Sequence, residues 1–535
     1  MEQTADIALD RGYLAEKGWR SWALTLDHKR IGVMYMFCTL FFFLAGGVFG
    51  LLIRLELLKP VSWLMSSQRY NEVFTIHGVM MIFLFVIPAI PSSLGNFFIP
   101  LMIGARDVAF PRLNLASFWI YVLGFIVVLA AFYEPIDTGW TFYTPYSART
   151  AGAVTVLTGG LVLVGMSSIL TGLNFIVTIH RLRAPGMEVM RLPLFIWGMY
   201  ATSIIQVLAT PVIGINFLLL IADRVLGVGF FDPAKGGDPL LFQHFFWFYS
   251  HPVVYVMILP AMGIISEVIP VFTRKPIFGY KAIAYSSLAI AFAGFGVWGH
   301  HMFVAGMSPV ADVIFSFLTF SVAIPTGIKV FNWIATMYKG SINLDSPMVF
   351  ALTFIFLFIV GGLTGPFLGA LATDVHLHET YFLVAHFHYT IMGGTVMGLL
   401  AGLHYWFPKM SGRMLDEKTA KTAWAFMFVG FNVTFFNMFI LGFRGMPRRY
   451  ATYLPQFQSQ HIISTLGSFV LAVGILIMFY NFVNSMYRGA PASADPWRAL
   501  TLEWRTSSPP PTENFEEIPV VTEWPYSYRD REDGA

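Results

Sequence analysis

The chain has 535 residues, 56% hydrophobic and 17% aromatic, with only 12% charged and a formal net charge of +3. Soluble domains carry about 25% charged residues, so this composition excludes an ordinary globular enzyme, a disordered protein and a nucleic-acid binder. A single cysteine, Cys38, excludes a disulfide framework, a c-type haem attachment, a cysteine-ligated iron–sulfur cluster and a two-cysteine copper site.

In chain order, the segment 1–30 alternates charge and lacks the apolar core of a cleavable signal. Twelve apolar stretches come next, at 31–54, 73–99, 115–134, 153–180, 192–222, 242–270, 279–305, 310–338, 346–371, 380–407, 420–441 and 461–487. A bilayer span needs about 20 mostly apolar residues. The pattern therefore predicts an all-α, polytopic membrane protein with twelve transmembrane helices over 31–487. Most of the 33 Lys and Arg residues fall in the two tails and the even-numbered loops, which puts both termini in the cytoplasm. The segment 488–535 is polar and Pro-rich and reads as an extended cytoplasmic tail without a core of its own.

The histidines carry the information. His77 falls in span 2, His251 in span 6, His300 and His301 near the end of span 7, and His386 and His388 in span 10. With even spans running inward, all six share one depth, ~6–14 Å below the outer mouth at 1.5 Å per residue. A lone intramembrane histidine is commonly a hydrogen-bonded interior group, but six at one depth on four helices predict a multi-metal site. Imidazole suits copper, iron and zinc. His386 and His388 lie about 200° apart around a helix and so face different sites, whereas the adjacent His300 and His301 can converge. His251 and Tyr255 are i and i+4 on one face.

The segments WFYSHPVVYVMILP, VWGHHMF, AIPTGIKVFNW, HETYFLVAHFHY and GMPRRY closely resemble subunit I of the haem-copper oxygen reductases, in the cytochrome c oxidase type with two A-type haems. The resemblance runs from about 20 to about 520. It implies that His77 and His388 are the axial pair of a low-spin haem, and His386 the proximal ligand of a high-spin haem. His251, His300 and His301 are the implied copper ligands, and Tyr255 the tyrosine joined to His251. Dioxygen held between that haem and that copper is reduced to water, with the phenol of Tyr255 supplying an electron and a proton.

The resemblance also gives roles to the charges. Arg448, Arg449 and Trp140 correspond to haem-propionate partners, Arg54 to the residue that bonds the low-spin haem's formyl group, and Tyr381 to the partner of its isoprenoid tail. His378 and Glu379 correspond to a magnesium pair, where the family usually has Asp at the second position. Glu56 resembles a ligand of a calcium or sodium site, but Lys59 departs from that pattern and the site is not assigned. Lys329, mid-span, with Thr326 and Ser266 corresponds to a proton path rising to Tyr255. Asp107 with Asn96, Asn114, Ser167, Ser168 and Asn174 corresponds to a second path. The glutamate that ends the second path elsewhere in the family is Val253 here, and the Tyr249–Ser250 pair resembles the subgroup that lacks it.

The resemblance thus implies a terminal oxidase subunit that couples oxygen reduction to proton pumping. Its implied cofactors are two haems (haem A), one copper ion and magnesium. Its implied partners are cytochrome c, subunit II with the electron-accepting copper centre, subunit III, smaller subunits and lipid, in a bacterial inner membrane. A quinol-fed oxidase, a nitric oxide reductase of the same fold and a non-redox twelve-helix transporter are the rival readings. The transporter has no use for six histidines at one depth.

Overall fold

The computed structural model describes residues 12–528, so residues 1–11 of the N-terminal segment and 529–535 of the tail lie outside the described residues. The long helices are α1 His28–Glu56, α2 Ser67–Ile103, α3 Pro111–Ala131, α4 Val154–Arg181, α5 Leu194–Leu226 and α6 Pro239–Thr273. They continue as α7 Tyr280–Gly294, α8 Pro309–Met337, α9 Ser346–Gly369, α10 Tyr381–Ser411, α11 Glu417–Phe443 and α12 Pro455–Arg488. The described residues form no β-strand, only three isolated bridges. Starts are set by short polar caps: the side chains of Asp27, Ser66 and Asp416 each accept a bond from a main-chain N–H of the first turn, which satisfies a donor the helix itself cannot. Phe37, Phe317 and Leu363 remain exposed on outer helices, as a lipid-facing surface requires.

Eleven of the twelve helices are long and apolar enough to cross a membrane. The expected seventh span, 279–305, differs. Its regular helix has 15 residues, ~22 Å at 1.5 Å per residue against a hydrocarbon core of about 30 Å. It ends in a Gly294–Phe295–Gly296 run, and the chain then makes a 3₁₀ turn over Trp298–Met302. The eighth span is two helices, Pro309–Ser321 and Ala323–Met337, meeting at Val322. Pro325 explains the break, since its ring clashes with the carbonyl four residues back, at Ser321.

Two helices that carry histidines widen just beyond them. α2 adopts π-helical turns over Met80–Val86 and Ala89–Gly95, and α10 over Ile391–Val396. Such insertions commonly mark functional sites. Elsewhere small residues let helices touch: on α3 and α4, a Cβ at Gly124 or Gly160 would lie about 3.0 or 2.9 Å from the other's carbonyl oxygen. Close backbone approach of this kind drives helix association in lipid.

The tail packs on the bundle. Residues 489–528 have a single 3₁₀ turn, Leu502–Arg505, and Trp497, Trp504, Phe515 and Tyr526 are buried. Lys409 of α10 donates to the carbonyls of Ala494, Thr506 and Ser507. A bridge between Gly12 and Pro511 brings the N-terminal segment onto the same face. The aromatic residues were the signal; their Pro-rich polar surroundings masked it.

Candidate metal and proton-transfer site

His251, His300 and His301 converge. Their ligand atoms all lie within 4.8 Å of one another, forming the one His/Cys/Asp/Glu group among the described residues with the spacing of a metal site. α6 supplies His251, and the 3₁₀ turn supplies the other two. The Nδ1 of His251 is 3.2 Å from Nε2 of His301, close to the separation of two nitrogens each ~2.0 Å from one tetrahedral ion. His300 donates from Nδ1 to the Thr319 hydroxyl (3.0 Å), whose own proton goes to the Phe315 carbonyl. The Nε2 of His300 is thereby left with a free lone pair. Trp247, one turn before His251, stacks on His301 at 3.8 Å and 9° and donates to the Tyr143 hydroxyl at 2.5 Å. Neither Thr319 nor Trp247 was singled out in the sequence; the WFYSHP run offered Trp247, and nothing local pointed to Thr319. The Tyr255 hydroxyl is 3.0 Å from Nε2 of His251, so the i, i+4 spacing becomes a contact.

The other three histidines share a feature. His77 donates from Nδ1 to the Gly46 carbonyl and His388 to the Val384 carbonyl, both at 2.8 Å. His386 bonds through Nδ1 to the Thr364 hydroxyl at 3.0 Å, and that hydroxyl in turn donates to the Gly361 carbonyl. A carbonyl can only accept, so the tautomer is fixed in each case and Nε2 presents its lone pair. Metal-binding imidazoles are held in this way. A ring also packs beside His388, whose imidazole stacks on Phe435 at 4.1 Å.

Arg54 is buried and uses a single nitrogen, NH2, for the His461 carbonyl (2.8 Å), His461 Nδ1 (3.2 Å) and Thr465 (3.2 Å). Its Nε and NH1 are buried without a partner, a pair of free donors that fits an acceptor on a bound group. Tyr381 is buried against His461. Trp140 packs on Phe246 and Trp247.

The expected magnesium pair is not brought together by a shared contact. His378 bonds to Asp374 at 2.9 Å, while Glu379 takes both arms of Arg448, at 2.7 and 2.5 Å. Burial raises the Glu379 carboxyl, but Arg448 more than offsets this and holds it down at about 2. The side chain is 47% exposed, so solvent screens the pair and its contribution to stability is small. Arg449 lies over Phe74 and keeps one buried nitrogen without a partner. Burial, then the neighbouring Arg448, lowers it to about 10. The Glu56 carboxylate accepts from the main-chain N–H groups of Trp63, Leu64 and Met65, which makes it a loop anchor.

Lys329, 2% exposed, donates to the Ser287 hydroxyl at 2.7 Å and the Ile283 carbonyl at 3.0 Å, both on α7. Thr326 bonds within its own helix, to Val322. Ser266 accepts from Trp333, which is one turn beyond Lys329. Ser287 was missed because a serine in an apolar helix gives no sign of its partner.

The Asp107 region forms a longer polar track. Asn174 is tied to the main chain of Phe110. Asn96 Oδ1 and both side-chain atoms of Asn114 are buried with no partner. Further along, Tyr35 bonds to Ser117 and Ser167, Thr171 to Ser117, and Gln206 to Ser168. A cavity of about 10 Å³, room for about one water, lies among Tyr35, Ser92, Tyr121, Ser167, Ser168 and Gln206. Tyr35, Ser117, Thr171 and Gln206 were missed; each is a common residue on an apolar helix. Burial pushes the Asp107 carboxyl up to about 7. Tyr249 and Val253 are 4% and 3% exposed, and Ser250 Oγ is buried without a partner.

The chain matches the family "Cytochrome C and Quinol oxidase polypeptide I" over residues 30–470. It is 48% identical to cytochrome c oxidase subunit 1 of Thermostichus vulcanus, covering 96% of this chain and 94% of that protein. It is 44% identical to the subunit of the same name from Bacillus subtilis (strain 168), covering 93% and 81%. Among solved structures it shares the fold of a heme-copper terminal oxidase dimer determined by cryo-EM, with a TM-score of 0.76 and 20% identity over 87% of this chain and 84% of that one.

Proposed function

This chain belongs to the cytochrome c and quinol oxidase polypeptide I family, and from that premise we propose how its residues divide the work. It is the catalytic subunit of a terminal respiratory oxidase, an integral multi-pass membrane protein with haem and copper cofactors inside a multi-subunit complex.

In our reading His77 and His388 hold one haem iron, His386 a second, and His251, His300 and His301 a copper ion. When bound, these groups supply the electron transfer and the reduction of dioxygen. The observation that carries the assignment is the set of fixed tautomers: Nδ1 of His77, His300, His386 and His388 is held by an oxygen, leaving Nε2 to bind metal. The partnerless donors of Arg54 and Arg449 support their pairing with haem substituents, and Trp140, Tyr381 and Arg448 line the same end. The haems are of A type, electrons come from cytochrome c through a subunit II copper centre, and subunit III and smaller subunits complete the assembly in a bacterial inner membrane, with both termini cytoplasmic. A magnesium ion would have to compete with Arg448 for Glu379; Asp374 and His378 stand beside it as further donors.

The chain's own task is the protons. Tyr255 sits within hydrogen-bond reach of His251 and can give up its hydroxyl proton at the site. Lys329 and Ser287, with Thr326 and Ser266, form the supply to it. Asp107, Asn96, Asn114, Ser167, Ser168 and Asn174 form a second track toward Tyr249 and Ser250, the subgroup pair that stands where a glutamate is missing. Partly unpaired buried amides suit ordered waters, which carry protons without a fixed charge.

The test is a reduced-minus-oxidised spectrum of the purified complex with haem extraction and metal analysis. Two A-type haems and a histidine-bound copper are expected in this subunit; absence of haem bands would end the reading.

A further inference from the structure

Asn514, in the tail, is completely buried and sits in the left-handed region at φ +64°, a conformation that Asn tolerates better than most residues. Its contacts reach three other parts of the chain. His28 donates from Nδ1 to the Asn96 carbonyl at 2.7 Å, so its Nε2 accepts, and the Asn514 amide donates to it at 2.9 Å. The same amide donates to the carbonyls of Ala105 (2.8 Å) and Arg106 (3.1 Å), immediately before Asp107. Its oxygen accepts from Lys29 at 2.7 Å. Lys29, wholly buried, completes its set with the Thr512 carbonyl and Asp27. The two amide hydrogens face three acceptors, so one is shared between neighbours, and the Asn514 oxygen also lies 3.1 Å from Nε2 of His28.

We infer that Asn514 is a positioning residue for proton uptake at Asp107: the tail locks the Asp107 loop, the start of α1 and the Asn96 main chain into one mouth. The inference rests on reading Asp107 as that mouth. The charged groups facing it are Asp27 and Lys29 from the start of α1 and Glu513 from the tail. With Asn514 in place, Lys29 is committed to Asn514, Thr512 and Asp27. Without it the ammonium loses an acceptor, and the main chain before Asp107 loses its anchor. Neither Lys29 nor His28 could then hold the geometry alone.

The test uses the assembled oxidase complex in vesicles, with turnover per haem and proton uptake measured for Asn514→Gly, Asn514→Asp, Asp107→Asn and the double variant Asp107→Asn/Asn514→Gly. Glycine keeps the backbone conformation and removes every side-chain bond. Aspartate keeps the acceptor for Lys29 and loses the donors to Ala105, Arg106 and His28; it stands in if the glycine variant assembles poorly. Turnover should fall roughly three- to tenfold, inside the ~100-fold that a 1 Å misplacement can cost, with haem spectra and copper content unchanged. The double variant should be no slower than Asp107→Asn alone. A merely structural role gives additive losses, and that result overturns the inference. So does wild-type turnover in both Asn514 variants beside a slow Asp107→Asn. Wild-type turnover in Asp107→Asn itself would remove the path reading on which the inference stands.

Discussion

Gly294 on α7 lies directly against the ring of Tyr255 on α6: a Cβ at position 294 would stand 2.7 Å from Cδ2 and 2.9 Å from Cε2 of the tyrosine. The missing side chain is therefore part of what aims the phenol at His251, 3.0 Å away. Gly294→Ala should push the ring aside, at an overpacking cost of roughly 1–3 kcal/mol. Turnover should drop about tenfold or more, since the hydroxyl leaves its contact distance, while copper and haem content stay normal. Unchanged turnover would mean that the ring position is not critical.

Removing one copper ligand separates the metals. His300 and His301 belong to the turn Trp298–Met302, a different element from the helices that carry His77, His386 and His388. His300→Ala and His301→Ala should each lose the copper and abolish oxygen reduction, leaving both haem signals in place. Metal analysis and a haem spectrum on the same sample decide this. Loss of the low-spin haem band from a protein that still assembles would count against the assignment.

The legibility of fold and site in the sequence depends on what each residue signals on its own. The histidines announce themselves because imidazole is costly in a membrane and the twelve-span reading puts six of them at one depth. Tyr255 is reached from helical spacing. The turn holding His300 and His301 is not: a glycine-rich end in an apolar stretch looks like continuing helix, and only packing shows that the regular helix stops at Gly294. Partners such as Thr319, Thr364 and Ser287 are illegible because small hydroxyl residues serve equally well as fillers. The packing of the tail on the bundle is illegible because its buried tryptophans are scattered among prolines, so that no period marks the contact. Glu379 reads through the resemblance as a metal ligand, whereas the arginine it meets stands 69 residues further along the chain.

The bonds of Lys329 make a prediction beyond the residue itself. Lys329→Met keeps the length of the side chain and removes the group that can carry a proton; turnover should collapse with haem and copper unchanged. Ser287→Ala removes the hydroxyl that accepts from Lys329 at 2.7 Å but leaves the Ile283 carbonyl. Its effect should be smaller, about three- to tenfold, or ~0.7–1.4 kcal/mol, in line with the loss of one ordinary hydrogen bond of ~0.5–1.5 kcal/mol. If both variants turn over at the wild-type rate, the path does not pass through Lys329.

Asp107 should titrate near neutrality. Burial raises it from 3.8 to about 7, so the protonated form persists up to that pH. The folded state holds the proton more tightly than the unfolded one, so this group's contribution to stability is fully present below 3.8 and is lost as pH rises through about 7. A carboxylic-acid band in the infrared difference between pH 6 and pH 8 should therefore be present in the native complex and missing in Asp107→Asn. The variant should also resist heat relatively better at pH 8 than at pH 5. A band that has already gone at pH 5 would show an ordinary, solvated carboxylate and a different mouth.

In the path we propose, Tyr249 is the least conventional element. The second track keeps Asp107, its asparagines and its serines, yet where a glutamate would end it the chain has Val253, 3% exposed. A group that can relay a proton is still needed there. Tyr249 precedes Val253 by one helical turn, ~5.4 Å along the axis, and is itself 4% exposed. Its neighbour Ser250 has a buried hydroxyl with no partner, which suits an ordered water between the two. In water a phenol is a far weaker acid than a carboxylic acid, about 10 against about 4.3, so in our proposal the hydroxyl would pass a proton on through an ordered water and would not store charge. Tyr249→Phe removes only the hydroxyl. Turnover should slow and proton release from vesicles should weaken, with the haem spectra unchanged. Ser250→Ala should add little once Tyr249 is Phe, because both serve one relay. If Tyr249→Phe releases protons at the native rate, the phenol of Tyr249 only fills space between α6 and its neighbours, and the route past Val253 runs through Ser250 and water alone.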